Sequence, residues 1–222
     1  VIIFSPYYEN YGADTVLSGA RPIYVPLHPP DFNFDPGELR AAFEQNPKAI
    51  ILCNPSNPSG KVFSLAELEA IADLSKEFDV FGITDEVYEH IVYKPHQHPY
   101  MASLPEMFDR TISCSSLSKT YNMTGWRLGY VIGPSSVIAG ARKVHDFLTV
   151  GAAAPLQEAA VTALELPSGY YELLTADYTR KRDLFIGYLE EAGFTYTMPQ
   201  GAYYVMVECT AFGVTDDNAG AR

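Results

Sequence analysis

The sequence predicts an α/β fold built on a largely parallel sheet, and three observations carry that reading. Short runs rich in Val, Ile, Tyr and Phe alternate with longer amphipathic stretches. Several of the short runs are apolar at nearly every position, as strands covered on both faces must be. Polar segments follow directly on three of these runs, at the strand ends where such a sheet gathers its ligands.

Taken in order, strands are predicted at Val1–Phe4, Pro22–Pro26, Ala49–Cys53, Val80–Thr84, Arg110–Ser115 and Leu128–Ile132. A short helix over Tyr11–Ser18 stops at Gly19, and a second, over Pro36–Gln45, follows Asp35. The third, Ser64–Phe78, opens on a capping box, Ser64-Leu65-Ala66-Glu67, whose hydroxyl and carboxylate satisfy free amides. Beyond Ser135 the texture changes to three helical stretches, Ser135–Leu148, Ala152–Leu166 and Tyr170–Ala192. A β-rich piece, Ala202–Glu208, follows. The long Tyr170–Ala192 helix reads as a bridge, so 1–169 is expected to be one large domain and 170–222 the start of a smaller α+β domain.

Composition narrows the partners. The 222 residues are 47% hydrophobic and 19% charged, which fits a soluble globular protein. A net charge of -12 argues against nucleic acid and anionic membranes, because both need a cationic face. Cys53, Cys114 and Cys209 are far apart and set in apolar runs, so they read as reduced thiols of a cytoplasmic protein. No apolar run approaches the roughly 18 residues of a membrane span. The chain opens inside a strand-like run without an initiator methionine and stops just after another, so a piece of a longer protein is expected.

Three constellations could carry chemistry. Asn54-Pro55-Ser56-Asn57-Pro58-Ser59-Gly60 follows the Ala49–Cys53 strand, and by itself could be only a rigid turn before a helix. Asp85-Glu86-Val87-Tyr88 ends another strand, and there a carboxylate needs a cation or donors unless Asp85 merely caps a helix. The third is Ser115-Ser116-Leu117-Ser118-Lys119-Thr120-Tyr121-Asn122-Met123-Thr124-Gly125-Trp126-Arg127. With only 15 Lys+Arg against 27 Asp+Glu, a lysine and an arginine among hydroxyls suggest a bound anion. Leu117, Tyr121, Met123 and Trp126 are expected to enclose Lys119, lower its proton affinity and make it a usable amine nucleophile.

Together these segments resemble the class I and II aminotransferases of fold type I, in the branch of kynurenine aminotransferase, glutamine transaminase K and methionine aminotransferase. The likeness runs through Pro6-Tyr7-Tyr8-x-x-Tyr11, NPSNPSGKVF, ITDEVYEHIVY, HQH, ASLPEMFDRT, SxSKTYxMTGWRLGY and Pro199-Gln200-Gly201-Ala202-Tyr203-Tyr204. It implies a pyridoxal 5′-phosphate site in the large domain. Lys119 would be the Schiff-base lysine, which also moves a proton at the substrate carbon. Asp85 would hold the pyridine nitrogen protonated, and Tyr88 and Asn57 would donate to the phenolate oxygen. Tyr8 would stack on one ring face and Val87 pack on the other, while Ser116, Ser118 and Arg127 bind the phosphate. The resemblance further implies amino acid and 2-oxo acid substrates and a homodimer that completes the site. The family's Gly-rich phosphate loop and its carboxylate-clamping arginine are expected outside this chain, which alone would then be inactive.

Rival readings exist. A carbon–sulfur β-lyase or an aminocyclopropane-carboxylate synthase shares the lysine, aspartate and asparagine motifs, and an inert piece is the non-enzyme alternative. Ser116-Leu117-Ser118-Lys119 fits the S-x-x-K of acyl-serine hydrolases, but their S-D-N and K-T-G companions are absent from the sequence. His96 and His98 could be paired metal ligands by alternation, although a polar loop without a metal is the expectation.

Overall fold

The computed structural model describes residues 1–214. Its main sheet takes strands β1 (Ile2–Ser5), β2 (Ile23–His28), β3 (Asn33–Phe34), β4 (Ala49–Cys53), β5 (Phe81–Asp85), β6 (Thr111–Ser116) and β7 (Gly129–Ile132). Their spatial order is β3-β2-β1-β4-β5-β6-β7. The five inner strands run parallel, and the edge strands β3 and β7 run antiparallel to their neighbours. The order reverses between β1 and β4, so the chain winds one way from β1 to β2 and the other way from β4 to β6. A crevice must open at the carboxyl ends of the strands there.

The helices are α1 (Asn10–Leu17), α2 (Pro36–Phe43), α3 (Leu65–Glu77), α4 (Leu117–Thr120), α5 (Ser135–Thr149), α6 (Ala154–Leu164) and α7 (Ser168–Glu191). In α3 the buried positions are Leu68, Ile71, Ala72 and Ser75, the stripe that a 3.6-residue period places on one face. With Leu39 and Phe43 of α2, that stripe joins Ile2, Phe4, Val25, Ile50 and Leu52 of the sheet in one core. A small antiparallel pair, β8 (Thr195–Tyr196) with β9 (Val207–Glu208), follows α7.

All six expected strands of the main sheet are present within a residue or two of their expected bounds. Three features differ. Coverage on both faces fails at β2, where Ile23, Val25 and Leu27 are buried but Tyr24, Pro26 and His28 are exposed, and at β7, which is exposed throughout. Both lie towards the sheet margins, where an antiparallel or half-covered strand needs only one apolar face, or none. The expected Ala202–Glu208 strand shrinks to two residues, because the chain before it is held by other contacts. The two-residue edge strand β3 had no readable sequence pattern.

Those contacts fasten the loop after β4 to the segment before β9. The Gly60 carbonyl accepts from the amides of Gln200 and Gly201, each at 2.8 Å, and the Val62 amide donates to Gln200 Oε1 at 2.9 Å. Neither glycine tolerates a side chain. Gly60 has φ +69° and a Cβ there would meet Pro199 at 2.8 Å, while one at Gly201 would meet Pro55 at 2.8 Å.

The predicted capping box of α3 is complete. The Ser64 hydroxyl accepts from the Glu67 amide, and Glu67 Oε2 accepts from the Ser64 amide at 2.8 Å. The other Glu67 oxygen pairs at 2.8 Å with Lys61, whose side chain is only 3% exposed. One carboxylate therefore caps the helix and neutralises a buried ammonium. Replacing Glu67 with Ala strands that charge, at a cost of about 3–5 kcal/mol. Ser64→Ala removes only the cap and costs about 1 kcal/mol. Urea denaturation of the two variants should show Glu67→Ala as much the more damaging, and equal losses would mean that the Lys61 pair contributes little.

Candidate active site

A cleft of about 510 Å³ opens at the strand ends beside the reversal between β1 and β4. Its floor is one face of the sheet, made at period two by Ile51 and Cys53, Ile83 and Asp85, and Cys114 and Ser116. Register aligns the chemistry, because Asp85 lies opposite Cys53 on one side and Cys114 on the other. Every residue the sequence nominated lines this cleft. Tyr8 comes from the turn after β1, Asn57 from the loop after β4, and Asp85, Val87 and Tyr88 from the end of β5. Ser116, Ser118, Lys119 and Arg127 come from the segment after β6.

Asp85 is the last residue of β5, and no helix follows it directly, so it is not a helix cap. Its Oδ1 accepts from the Val87 amide at 3.2 Å, closing a tight turn. Its Oδ2 accepts from the Tyr11 hydroxyl at 2.7 Å. Burial raises the Asp85 pKa above the ordinary carboxylate value, and these two donors oppose the rise. A cation placed against this carboxylate gains a strong partner. Burial raises the thiols on either side of it, Cys53 to about 12 and Cys114 to about 11, so both are held as neutral thiols.

Across the cleft, Asn57 Nδ2 donates to the Tyr204 hydroxyl at 3.3 Å, and the Tyr88 and Tyr204 hydroxyls are 2.8 Å apart. Asn57 and Tyr88 therefore converge on one phenolic oxygen. The ring of Tyr88 is gripped edge-on by Tyr203 and Tyr204. Burial drives the Tyr88 pKa well up, which keeps it a neutral hydroxyl.

The segment after β6 curls back on itself. Ser116 caps α4, its Oγ accepting from the Ser118 amide at 3.0 Å and lying 2.7 Å from the Ser118 hydroxyl. Thr124 Oγ1 donates to the Ser118 carbonyl at 3.1 Å. Arg127 adopts φ 55°, a left-handed conformation that is costly for arginine, and its guanidinium donates to the Thr124 carbonyl at 3.0 Å. Three hydroxyls and a guanidinium thus share one rim, a donor set suited to a phosphate. The partners of Ser116 are Ser118 and the Leu128 carbonyl, not Lys119, so the nucleophile–base contact of an S-x-x-K hydrolase is not formed.

One expectation fails at Lys119. Leu117, Tyr121 and Met123 turn away from the amine to pack with Leu128, Leu156, Ala160 and Ala163, and Trp126 is exposed. Lys119 is only partly buried, with Nζ 5.7 Å from the centre of the Tyr203 ring. The Tyr203 hydroxyl holds the Lys119 pKa above its ordinary value, outweighing the opposing effect of desolvation. In this state the amine is protonated, not primed. Tyr11, Tyr203 and Tyr204 received no role from the sequence, although their motifs were visible. Their roles depend on contacts with residues far away in the chain.

The family model for aminotransferase class I and II matches residues 1–218. The chain is similar to kynurenine–oxoglutarate transaminase 3 of Rattus norvegicus, at 37% identity over 96% of this chain and 51% of that one. Its structure resembles N-succinyldiaminopimelate aminotransferase from Mycobacterium tuberculosis, with TM-score 0.94 and 33% identity over 99% of this chain and 58% of the other. It also resembles an Escherichia coli protein with a methionine aminotransferase function, with TM-score 0.92 and 33% identity over 99% of this chain and 57% of the other. The chain spans about half the length of the curated relatives it matches. On this evidence of sequence and shape, it belongs to the aminotransferase class I and II family, whose cofactor is pyridoxal 5′-phosphate.

Proposed function

We propose that the intact protein is an aminotransferase that moves an amino group from an L-amino acid of aromatic, kynurenine-like, methionine or glutamine type to a 2-oxo acid. The observation that carries this reading is the convergence of Lys119, Asp85 and the Asn57–Tyr88 pair on one cleft. The residues fit the cofactor part by part. A carboxylate whose nearest partners are neutral donors suits a ring cation. An amide donor and a hydroxyl that already meet one phenolic oxygen suit the cofactor's own. The hydroxyl and guanidinium rim suits its phosphate, and the Lys119 amine lies in the same cleft, where loss of its proton would let it meet the aldehyde.

When bound, pyridoxal 5′-phosphate supplies an electrophilic carbonyl carbon and an electron-withdrawing ring that acidifies the substrate Cα proton. The chain's own groups do the rest. Lys119 Nζ is the amine that holds the cofactor and then carries the proton to and from substrate Cα. Asp85 would keep a proton on the ring nitrogen by charge, while Tyr11 and the Val87 amide keep that carboxylate aimed. Tyr88 and Asn57 would donate to the ring oxygen, Tyr8 and Val87 would pack on its two faces, and Ser116, Ser118 and Arg127 would hold the phosphate. The same reading takes 1–169 as the cofactor domain, 170–222 as the entry to a smaller domain, and the working form as a cytoplasmic homodimer.

Screening the intact protein with phenylalanine, kynurenine, methionine and glutamine against several oxo acids tests the activity. Borohydride reduction of the cofactor-loaded protein, followed by peptide mapping, should put the covalent label on Lys119. Label on another lysine would overturn the assignment. Asp85→Asn should keep the fold but lose the charge that holds the ring proton. Turnover should fall by roughly 10²–10³, the range for removing one aimed electrostatic group, and near-normal turnover would reduce Asp85 to a turn residue.

Tyr203 generates a pH prediction. Its hydroxyl raises the Lys119 pKa, so at any pH below that value less free amine is available to capture an aldehyde. The Tyr204 and Tyr178 side chains act in the same direction, by charge. Tyr203→Phe removes the largest contribution, so the midpoint for covalent capture of pyridoxal phosphate by the cofactor-free protein should move to lower pH. Stopped-flow absorbance across a pH series reads that midpoint, and an unmoved or higher value would contradict the assignment.

A further inference from the structure

We propose that Glu86, Glu89 and His98 form a divalent-cation site behind the sheet, on the face opposite the cleft, suited to a transition ion such as Co(II), Zn(II) or Mn(II). The turn after β5 creates the carboxylate pair, because the Glu89 amide donates to the Glu86 carbonyl at 2.9 Å and so brings the two side chains together. His98 reaches them from the following loop. One ligand atom from each of the three residues lies within 4.8 Å of the others. An ion about 2.0–2.2 Å from each donor needs them roughly 4 Å apart or less, a small rotamer adjustment away.

Two features point to a ligand here. Both ring nitrogens of His98 are buried and have no hydrogen-bond partner, an unusual state for an imidazole. Glu86 is only 4% exposed, yet among the described residues no lysine or arginine pairs with it or with Glu89. Two neighbouring carboxylates without a cation are costly, and a divalent ion offsets both.

The surroundings are those of an organised coordination shell. Thr84 donates to Glu86 at 3.0 Å, and Ser115, Tyr130 and Tyr100 donate to Glu89 at 2.8, 3.0 and 2.7 Å. Such outer donors fix the orientation of ligating carboxylates. Tyr100 also meets the His98 ring edge-on, with centroids 4.5 Å apart. Nitrogen with two carboxylates favours transition ions over calcium or magnesium. His96 takes no part, because it is exposed and lines a separate cavity. Since Glu86 adjoins Asp85 and the same turn carries Val87 and Tyr88, an ion here would stiffen the cleft wall from behind.

The test is a Co(II) titration of the protein after treatment with a chelator, read by ligand-field absorbance and by thermal melting. Wild type should show a saturable visible band at one equivalent and a raised melting temperature. His98→Ala should weaken binding by more than the roughly 10–100-fold lost with an outer partner of a ligand. His98→Cys should add a sulfur-to-cobalt charge-transfer band, a signature that a purely structural histidine would not give. Tyr100→Phe keeps all three ligands and should keep the band. The proposal is overturned if wild type shows no saturable band, or if His98→Ala binds as tightly as wild type. Either result would leave the three residues as a hydrogen-bonded cluster without an ion.

Discussion

The Gly60 carbonyl accepts two backbone hydrogen bonds, from Gln200 and Gly201, and the cleft depends on them. They join a loop that follows the fourth strand to a segment well over a hundred residues later in the chain. Gly60 must be glycine because its φ is positive and Pro199 lies against it, and Gly201 because Pro55 does. With the backbones this close, Tyr203 and Tyr204 can only project towards Lys119, Tyr88 and Asn57. The tyrosines that tune the amine and meet the amide are therefore placed by a backbone contact.

The sheet supplies the other half of the site. Parallel register lines up Cys53, Asp85 and Cys114, so one carboxylate sits between two neutral thiols with a tyrosine hydroxyl to hold it. The reversal of strand order between β1 and β4 opens space above that row. Successive side chains alternate between faces, so Asp85 enters the cleft while Thr84 turns to the back with Ser113 and meets Glu86. Two neighbouring residues thus serve two different environments. The chemistry of the cleft and the carboxylate cluster behind it share a single turn.

Charge is distributed unevenly on this scaffold. In a chain with net charge -12, Lys119 and Arg127 stand on the cleft rim without a carboxylate partner among the described residues. Lys61, by contrast, is buried and tied to Glu67, where it holds the loop against α3. The first two are available to an anion or an aldehyde, and the third is committed to the fold. Motif alone does not separate these roles, since Lys61 and Lys119 both sit in family-like segments; burial and partners do.

The sequence by itself determined the strand–helix alternation, the capping box at Ser64 and the strand-end location of Lys119, Asp85, Asn57 and Tyr88. Periodicity, capping and the polarity of a strand end are local properties, legible within a dozen residues. Tertiary structure decided what those residues meet. Tyr11 reaches Asp85 across 74 residues and Asn57 reaches Tyr204 across 147, and no local pattern encodes such pairs. The direction of the Lys119 pKa shift went against the sequence expectation for the same reason. The apolar residues around it in sequence pack elsewhere, and the hydroxyl beside it in space comes from Tyr203. His98 joined two glutamates instead of His96 because burial, not alternation along a loop, chose its neighbours.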